Sequence, residues 1–179
     1  MQVAVRPVEA RDHEAIFAIE RRPEVREHQY DFGIKTLPQW QARYFGDYGL
    51  TVLRRHRAVT VDEATVGVIY CWSVRISFSS KRRGNYGWNL HPDFWGRGIM
   101  RQALTLELDG FFDDPRHVSA GADCFHDNVR CLRLLERLCF TPRWIGPLDR
   151  LHLLTLSRRR VKRFRMTREQ WRHYRAVAR

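Results

Sequence analysis

The residues whose spacing carries the most chemistry run from Leu90 to Met100, Leu-His-Pro-Asp-Phe-Trp-Gly-Arg-Gly-Ile-Met. Pro92 ends the extended stretch before it. Gly96 and Gly98 remove side chains and admit backbone angles that let successive N–H groups point at one guest. A helical pattern starts directly afterwards, so partnerless N–H groups and the positive end of the helix dipole fall at the same place. That combination makes an anion site, and a pyrophosphate suits it. A Gly-x-Gly by itself is also a common tight turn, so the surroundings must decide. Other groups that could move protons are Asp123 at the end of a strand, His91 and His126. A strand-end aspartate can take a proton from an amine through water or accept a local hydrogen bond. The two histidines are surface residues or proton shuttles.

The elements around this loop follow from periodicity. Val3 to Pro7 alternates like a strand, and Asp12 can N-cap a helix through Ala15, Ile16 and Ile19 that stops near Pro23. A second helix is expected over Pro38 to Phe45. Leu50 to Val61 and Thr65 to Phe78 are rich in Val, Ile, Tyr and Trp, and Asp62-Glu63 between them predicts a hairpin. A polar turn, Ser79 to Gly84, leads to an extended piece, Asn85 to Leu90. From Gly98 the period changes to helix, with Met100, Leu104, Leu108 and Phe111-Phe112 on one stripe ending before Pro115. Val118 to Phe125 reads as a strand and Asn128 to Leu138 as an amphipathic helix. Phe140 to Ile145 and Leu148 to Leu156 read as closing strands. The expectation is an α/β domain with a mixed sheet flanked by helices and its ligand at a strand-to-helix turn in mid-chain.

The whole chain has 179 residues, 44% hydrophobic and 12% aromatic, which excludes a disordered basic polymer and fits one domain with one main core. No apolar run approaches the roughly 20 residues that cross a bilayer, and Met1-Gln2-Val3 leads into alternating charge instead of a signal peptide, so a soluble cytoplasmic protein is expected. Cys71, Cys124, Cys131 and Cys139 have neither zinc-knuckle nor disulfide-framework spacing and read as reduced thiols. The net charge of +12 is unevenly spread: residues 157–179 carry ten basic side chains and the single acid Glu169. We therefore expect a domain over residues 1–156 and a basic C-terminal extension over 157–179. Within it Thr167 and Gln170 form a capping box, and Trp171 and Tyr174 share a face of a short helix. The same arginines suit phosphates of RNA or an acidic protein, and the interleaved aromatics suit base stacking.

With these residues in place, the chain resembles the GNAT superfamily of acetyl-coenzyme A-dependent N-acetyltransferases, whose cofactor loop reads Gln/Arg-x-x-Gly-x-Gly/Ala after a strand and a proline. That pattern falls on Trp95, Gly98 and Met100. Phe94 to Leu104 is similar to the "peWGkGyateAl" of the ribosomal-protein N-terminal alanine acetyltransferase (RimJ/RimL-like) branch. Asn128 to Phe140 matches its "N-x-x-S…vlekLGF", and Val5-Arg6-Pro7 to Asp12 its "lRpl…D" opening. The resemblance covers about residues 3 to 156. It implies the GNAT fold, acetyl-CoA as cofactor and transfer of acetyl to a primary amine. It puts the diphosphate on the N–H groups of Gly96, Arg97, Gly98, Ile99 and Met100, lays the pantetheine along the strand ending at Leu90, and brings Asn128 to that arm.

The departures bear on catalysis. Met100 replaces a small residue and should narrow the diphosphate space, and Cys139 replaces a glycine that takes positive φ in the family. Asn85 to Leu90 contains no carboxylate, so the base many relatives carry there is missing. Asp123 is the candidate substitute, acting through water, with a local hydrogen-bond acceptor as its other reading. Cys131 replaces a serine that gives the leaving thiolate its proton, and its thiol is either the donor or a small apolar helix residue. Where other branches carry a catalytic tyrosine stands Leu135. An α-amine, with pKa near 8, needs less help from a base than a lysine near 10.4. The reading is an N-acetyltransferase working by direct transfer on a protein N-terminus, a small amine or an aminoacyl-tRNA. The alternative is a catalytically silent relative that binds RNA or an acidic partner through residues 157–179.

Overall fold

A computed structural model of the protein describes residues 1–30, 32–46, 52–76, 78–143 and 160–177. Its centre is one sheet of eight strands: β1 (Val3–Pro7), β2 (Val52–Arg54), β3 (Arg57–Val61), β4 (Ala64–Arg75), β5 (Arg82–Leu90), β6 (His117–Phe125), β7 (Thr141–Arg143) and β8 (Val161–Thr167). The order is β1-β3-β4-β5-β6-β8-β7, with β2 also on β4, and every pairing is antiparallel except the parallel β5–β6. The helices are α1 (His13–Arg21), α2 (Pro23–Arg26), α3 (Leu37–Phe45), α4 (Ile99–Phe112), α5 (Val129–Arg137) and α6 (Arg168–Val177). The alternation of β-strand side chains divides the core in two. Ile69, Cys71, Tyr86, Ala120 and Ala122 meet α4, α5 and α6, whereas Val68 and Tyr70 meet Ile16 of α1 and Trp40 of α3. No helix among the described residues is long and apolar enough to cross a membrane.

Several expectations change here. Of the strand expected over Leu50 to Val61, the described residues 52–61 form two strands instead of one. Both β2 and β3 pair with β4, but between them Cys71 N–H donates to the ring Nδ1 of His56 (3.2 Å) instead of to a backbone carbonyl. The Asp62-Glu63 turn has φ of 46° and 70°, the mirror-image turn that suits the strand twist. Asp12 does not cap α1 with its side chain. Its buried carboxylate instead accepts from Arg6 (2.6 and 2.7 Å), Thr65 (2.7 Å) and Glu9 N–H (2.9 Å). Burial raises its pKa, but these bonds outweigh that and hold it well below the usual carboxylate range.

From residue 160 to 177 the basic segment is built into the fold. From Val161 to Thr167 it is strand β8, inside the sheet between β6 and β7, and α6 follows on β6 and β8. Phe164 and Met166 enter the core while Arg163 and Arg165 alternate to the other face. Thr167 and Gln170 make the capping box (2.8 and 3.2 Å), and Trp171 is buried, donating to Asp109 (3.0 Å). Arg168 closes the C-terminal end of α4 through the carbonyls of Phe112, Asp114 and His117. Arg168 is thus a structural charge, which charge counting cannot reveal. The expected strand Leu148 to Leu156 lies outside the described residues.

Candidate cofactor and acceptor site

The site originates in a failure of strand pairing. β5 and β6 pair in parallel from Arg82–His117 to Tyr86–Ala122, with one register shift between Arg82 and Arg83, and then separate. Residues 87–90 stay paired only with β4, while Asp123, Cys124 and Phe125 pair only with β8. His91 N–H donates to Val66 O (2.8 Å), and the β4–β5 register has no irregularity. Bonding alternates along an antiparallel pair, so Gly87 and Asn89 turn their backbone groups toward β4. Trp88 and Leu90 turn theirs into the gap. The Leu90 carbonyl accepts from the Trp95 indole (2.8 Å), which leaves the Trp88 and Leu90 N–H groups as donors on an open edge. The gap deepens into a cavity of about 880 Å³.

One half of the cavity ends at the glycine loop. Gly96 and Gly98 both have φ of 75°, and a Cβ on either would meet nothing within 4 Å, because it would stand in the open cavity mouth. The first helical hydrogen bond is Gln102 N–H to Gly98 O (3.0 Å). The N–H groups of Gly96, Arg97, Gly98, Ile99 and Met100 therefore have no partner among the described residues. Such groups next to a helix start attract an anion. Met100 is 7% exposed and belongs to the core cluster with Ala103 and Leu104 while also lining the cavity, so the core takes up much of its bulk. Asn128 lines the same cavity from the N-terminal end of α5. Its Oδ1 caps α5 by accepting Cys131 N–H (3.0 Å), leaving its amide nitrogen for a guest. Arg101, Arg130, Arg133 and Arg137 line the same half, with Arg130 over the Trp95 ring at 4.1 Å. Sequence reading passed over these arginines, although Arg130, Arg133 and Arg137 recur at helical spacing.

The other half is lined by α2, α3 and the adjoining sheet. Tyr44, Tyr70 and Trp72 form an aromatic wall with centroids 4.3 and 5.7 Å apart. Asp123 stands opposite, paired with Arg163 (3.4 Å). Burial first, and then the Asp123 charge, push the Tyr30 phenol above its usual pKa, which places that carboxylate near Tyr30. Cys131 lines the cavity as well. A hydrogen bond with Cys124 and then burial push its thiol well up, so it stays protonated. That state has a proton to give, although full transfer to an ordinary thiolate is uphill by ~1.4 kcal/mol per pKa unit. His91 and His126 stay at the periphery: His91 Nδ1 accepts Asp93 N–H (3.3 Å), and His126 is exposed.

A carboxylate that sequence reading missed supports this half from behind. Glu20 is buried and accepts from Trp40 (2.7 Å), Tyr70 (2.8 Å) and Asn89 (2.6 Å). Burial raises its pKa against the pull of the three donors. It ties α1 to the cavity wall and to the open part of β5. Its signal was a charge four residues after Ile16 on the apolar stripe of α1.

The family model described as Acetyltransferase (GNAT) domain matches residues 2–141. The chain belongs to the GNAT acetyltransferase family. Enzymes of this family use acetyl-CoA, and the unpartnered N–H row, the open β5 edge and the arginine rim fit its phosphates and pantetheine arm. No curated protein matches the chain. Among solved structures it is similar to Mycobacterium smegmatis RimJ in complex with CoA-disulfide, at 19% identity over 98% of this chain and 88% of that one, with a TM-score of 0.74. It is also similar to the ribosomal-protein-S5-alanine acetyltransferase of Vibrio fischeri, at 15% identity over 96% of both chains and a TM-score of 0.72. A third is the spermidine N-acetyltransferase of Vibrio cholerae in complex with CoA and spermine, at 14% identity over 95% and 98% and a TM-score of 0.72. At such identities the likeness is one of fold.

Proposed function

We propose that the protein is an N-acetyltransferase that passes acetyl directly from acetyl-CoA to a primary amine in a ternary complex. The carrying observation is the single cavity in which an open strand edge and an anion-binding turn adjoin an aromatic, carboxylate-bearing half. When bound, acetyl-CoA supplies an acyl group activated as a thioester. The N–H groups of Gly96, Arg97, Gly98, Ile99 and Met100 hold its diphosphate, with Arg101, Arg130, Arg133 and Arg137 around them. Trp88, Leu90 and the Asn128 amide hold the arm, and a β5 N–H at the open edge is the donor available to the acyl oxygen. Asp123 receives the amine's proton through water, and Cys131, kept as a thiol, donates toward the departing sulfur. Positioning does most of the work, which accommodates the lack of a carboxylate on residues 85–90. The acceptor is a protein N-terminus, a small amine or an aminoacyl-tRNA. The RimJ and S5 acetyltransferase neighbours favour the RimJ/RimL-like branch, and the spermidine enzyme keeps small amines in the panel.

Calorimetric titration with acetyl-CoA, beside desulfo-CoA and ATP, tests the cofactor half of this reading. Saturable one-site binding that ATP does not mimic is expected, and no binding at millimolar ligand would refute it. Mass-spectrometric detection of acetyl transfer across the three acceptor classes tests the rest. The missing β5 carboxylate favours one rival, a silent relative that binds RNA or an acidic partner. In that case cofactor binding persists or fails without any product, and Gly98→Glu leaves partner binding intact.

A further inference from the structure

Beside the acceptor half, three guanidinium groups share one sheet face, and no carboxylate among the described residues pairs with any of them. Directly paired strand residues point to the same side, and the registers run Arg83–Ser119, Asn85–Gly121, Gly121–Arg165 and Thr141–Arg165. Arg143 lies two residues beyond Thr141 on the same face. Gly121 contributes no side chain in the middle, and Arg165 reaches past it to the Ser119 hydroxyl (2.9 Å). Arg83 and Arg143 are exposed and Arg165 half-buried. Among the described residues none of the three has an ion-pair partner, whereas neighbouring Arg163 answers Asp123. Burial, and then the charges of Arg83 and Arg143, lower the pKa of Arg165, so the three are close enough to repel. The same face carries Asn85 and Asp123 into the cavity, and Arg83 is two residues, about 7 Å, from Asn85.

A cluster of like charges held together without compensation is destabilising by itself and becomes favourable when an anion bridges it. Forked guanidinium donors fit phosphate oxygens in particular. An acidic peptide would satisfy the charge alone. The adjoining cavity adds flat ring surface, since half-buried Tyr44 and Trp72 flank the stack on Tyr70. Phosphate-binding arginines next to stacking aromatics are the two parts of a single-stranded nucleic-acid site. We propose that Arg83, Arg143 and Arg165 form a platform for the phosphodiester backbone of a single-stranded RNA end, whose terminal nucleotide enters the aromatic half of the cavity. This rests on the proposed acetyltransferase reading for its purpose, because it makes an amine carried on an RNA 3′ end the acceptor class. Its binding step does not depend on that reading.

The test uses the full chain with a fluorescently labelled single-stranded RNA ending in CCA, its anisotropy followed between 50 and 200 mM salt. The wild type should bind with a steep salt dependence. The Arg83→Gln/Arg143→Gln variant should lose about tenfold or more in affinity and about 1.4 from the log–log salt slope, at ~0.7 per phosphate contact on a single strand. Arg172→Gln, an exposed charge on α6 away from this face, should change neither by more than about twofold. Three results would overturn the proposal: no RNA binding by the wild type, equal losses in Arg172→Gln, or equally tight binding of a poly-glutamate peptide that the double variant also loses. Acetyl-CoA calorimetry separates the two readings. RNA binding without cofactor binding sinks the enzyme, and cofactor binding with acetylation of small amines but no RNA affinity sinks the platform.

Discussion

Replacing Gly98 by alanine isolates the anion-binding turn. Gly98 sits at the N-cap of α4 with φ of 75° and ψ of 0°, and a Cβ there meets nothing within 4 Å. The substitution therefore creates no clash inside the protein, and its stability cost is backbone strain alone. An L-residue in the left-handed region costs roughly 1–2 kcal/mol. About 0.4–1 kcal/mol of that is offset because alanine narrows the unfolded ensemble. The two ranges leave a net loss of about 0–1.6 kcal/mol, a fall in Tm of at most roughly 6 °C for a domain of this size. The effect on acetyl-CoA should be larger. In the proposed cofactor seat the added methyl would stand between the diphosphate and the N–H row, and hydrogen bonds to charged groups are worth about 1.5–3 kcal/mol each. Losing one such bond weakens Kd by roughly 10- to 100-fold. Thermal unfolding and calorimetry on the same preparation measure both. A normal Kd with the expected fall in Tm would refute the assignment of the turn to the cofactor. A clear rise in Tm would refute the left-handed conformation on which the argument stands.

Three further outcomes follow from the structure. Cys139 has φ of 57° and ends α5 in a double-bonded cap, with its N–H on Glu136 O (2.9 Å) and Phe140 N–H on Leu135 O (3.0 Å). Cys139→Gly should therefore stabilise the protein by about 0.5–1 kcal/mol in urea unfolding and leave acetyl-CoA affinity alone, and a destabilised variant contradicts the strain. Burial lowers His56 to about 4, so its native state stays neutral while the unfolded chain takes up a proton. Stability should be complete above about pH 6.5 and decline as pH falls toward 4, by up to about 3 kcal/mol. His117, also lowered by burial, adds in the same direction. Urea unfolding at stepped pH, with and without His56→Gln, reads this, and a flat profile would be inconsistent with it. Disulfide-reagent labelling of the native protein at pH 8 should find Cys139 reactive, since it is exposed. Cys131 should be slow because its thiol is pushed up, as should Cys71, raised to about 12 by burial, and fast labelling of Cys131 would contradict the protonated thiol proposed for it.

The sequence determined the elements and the chemistry that local spacing encodes. Gly96 and Gly98 after Pro92, the stripe through Leu104 and Leu108, and Asn128 ahead of α5 each express a backbone or periodicity constraint a few residues long. Such constraints are legible without a fold. The capping box at Thr167 and the left-handed cap at Cys139 are of the same kind. Strand β8 was hidden because its alternation, Phe164 and Met166 against Arg163 and Arg165, lies within a run of like charge, and electrostatics there masked the period of two. Only the tertiary structure decided where β5 and β6 part, because the length of a pairing depends on residues far apart in the chain. The same holds for Glu20, whose three donors come from α3, β4 and β5, and for Tyr44, Tyr70 and Trp72, which form a wall only when α3 lies on β4. It holds also for Arg83, Arg143 and Arg165, which belong to three separate strands. Their mutual repulsion, and whatever answers it, exists only once the sheet has brought them to one face.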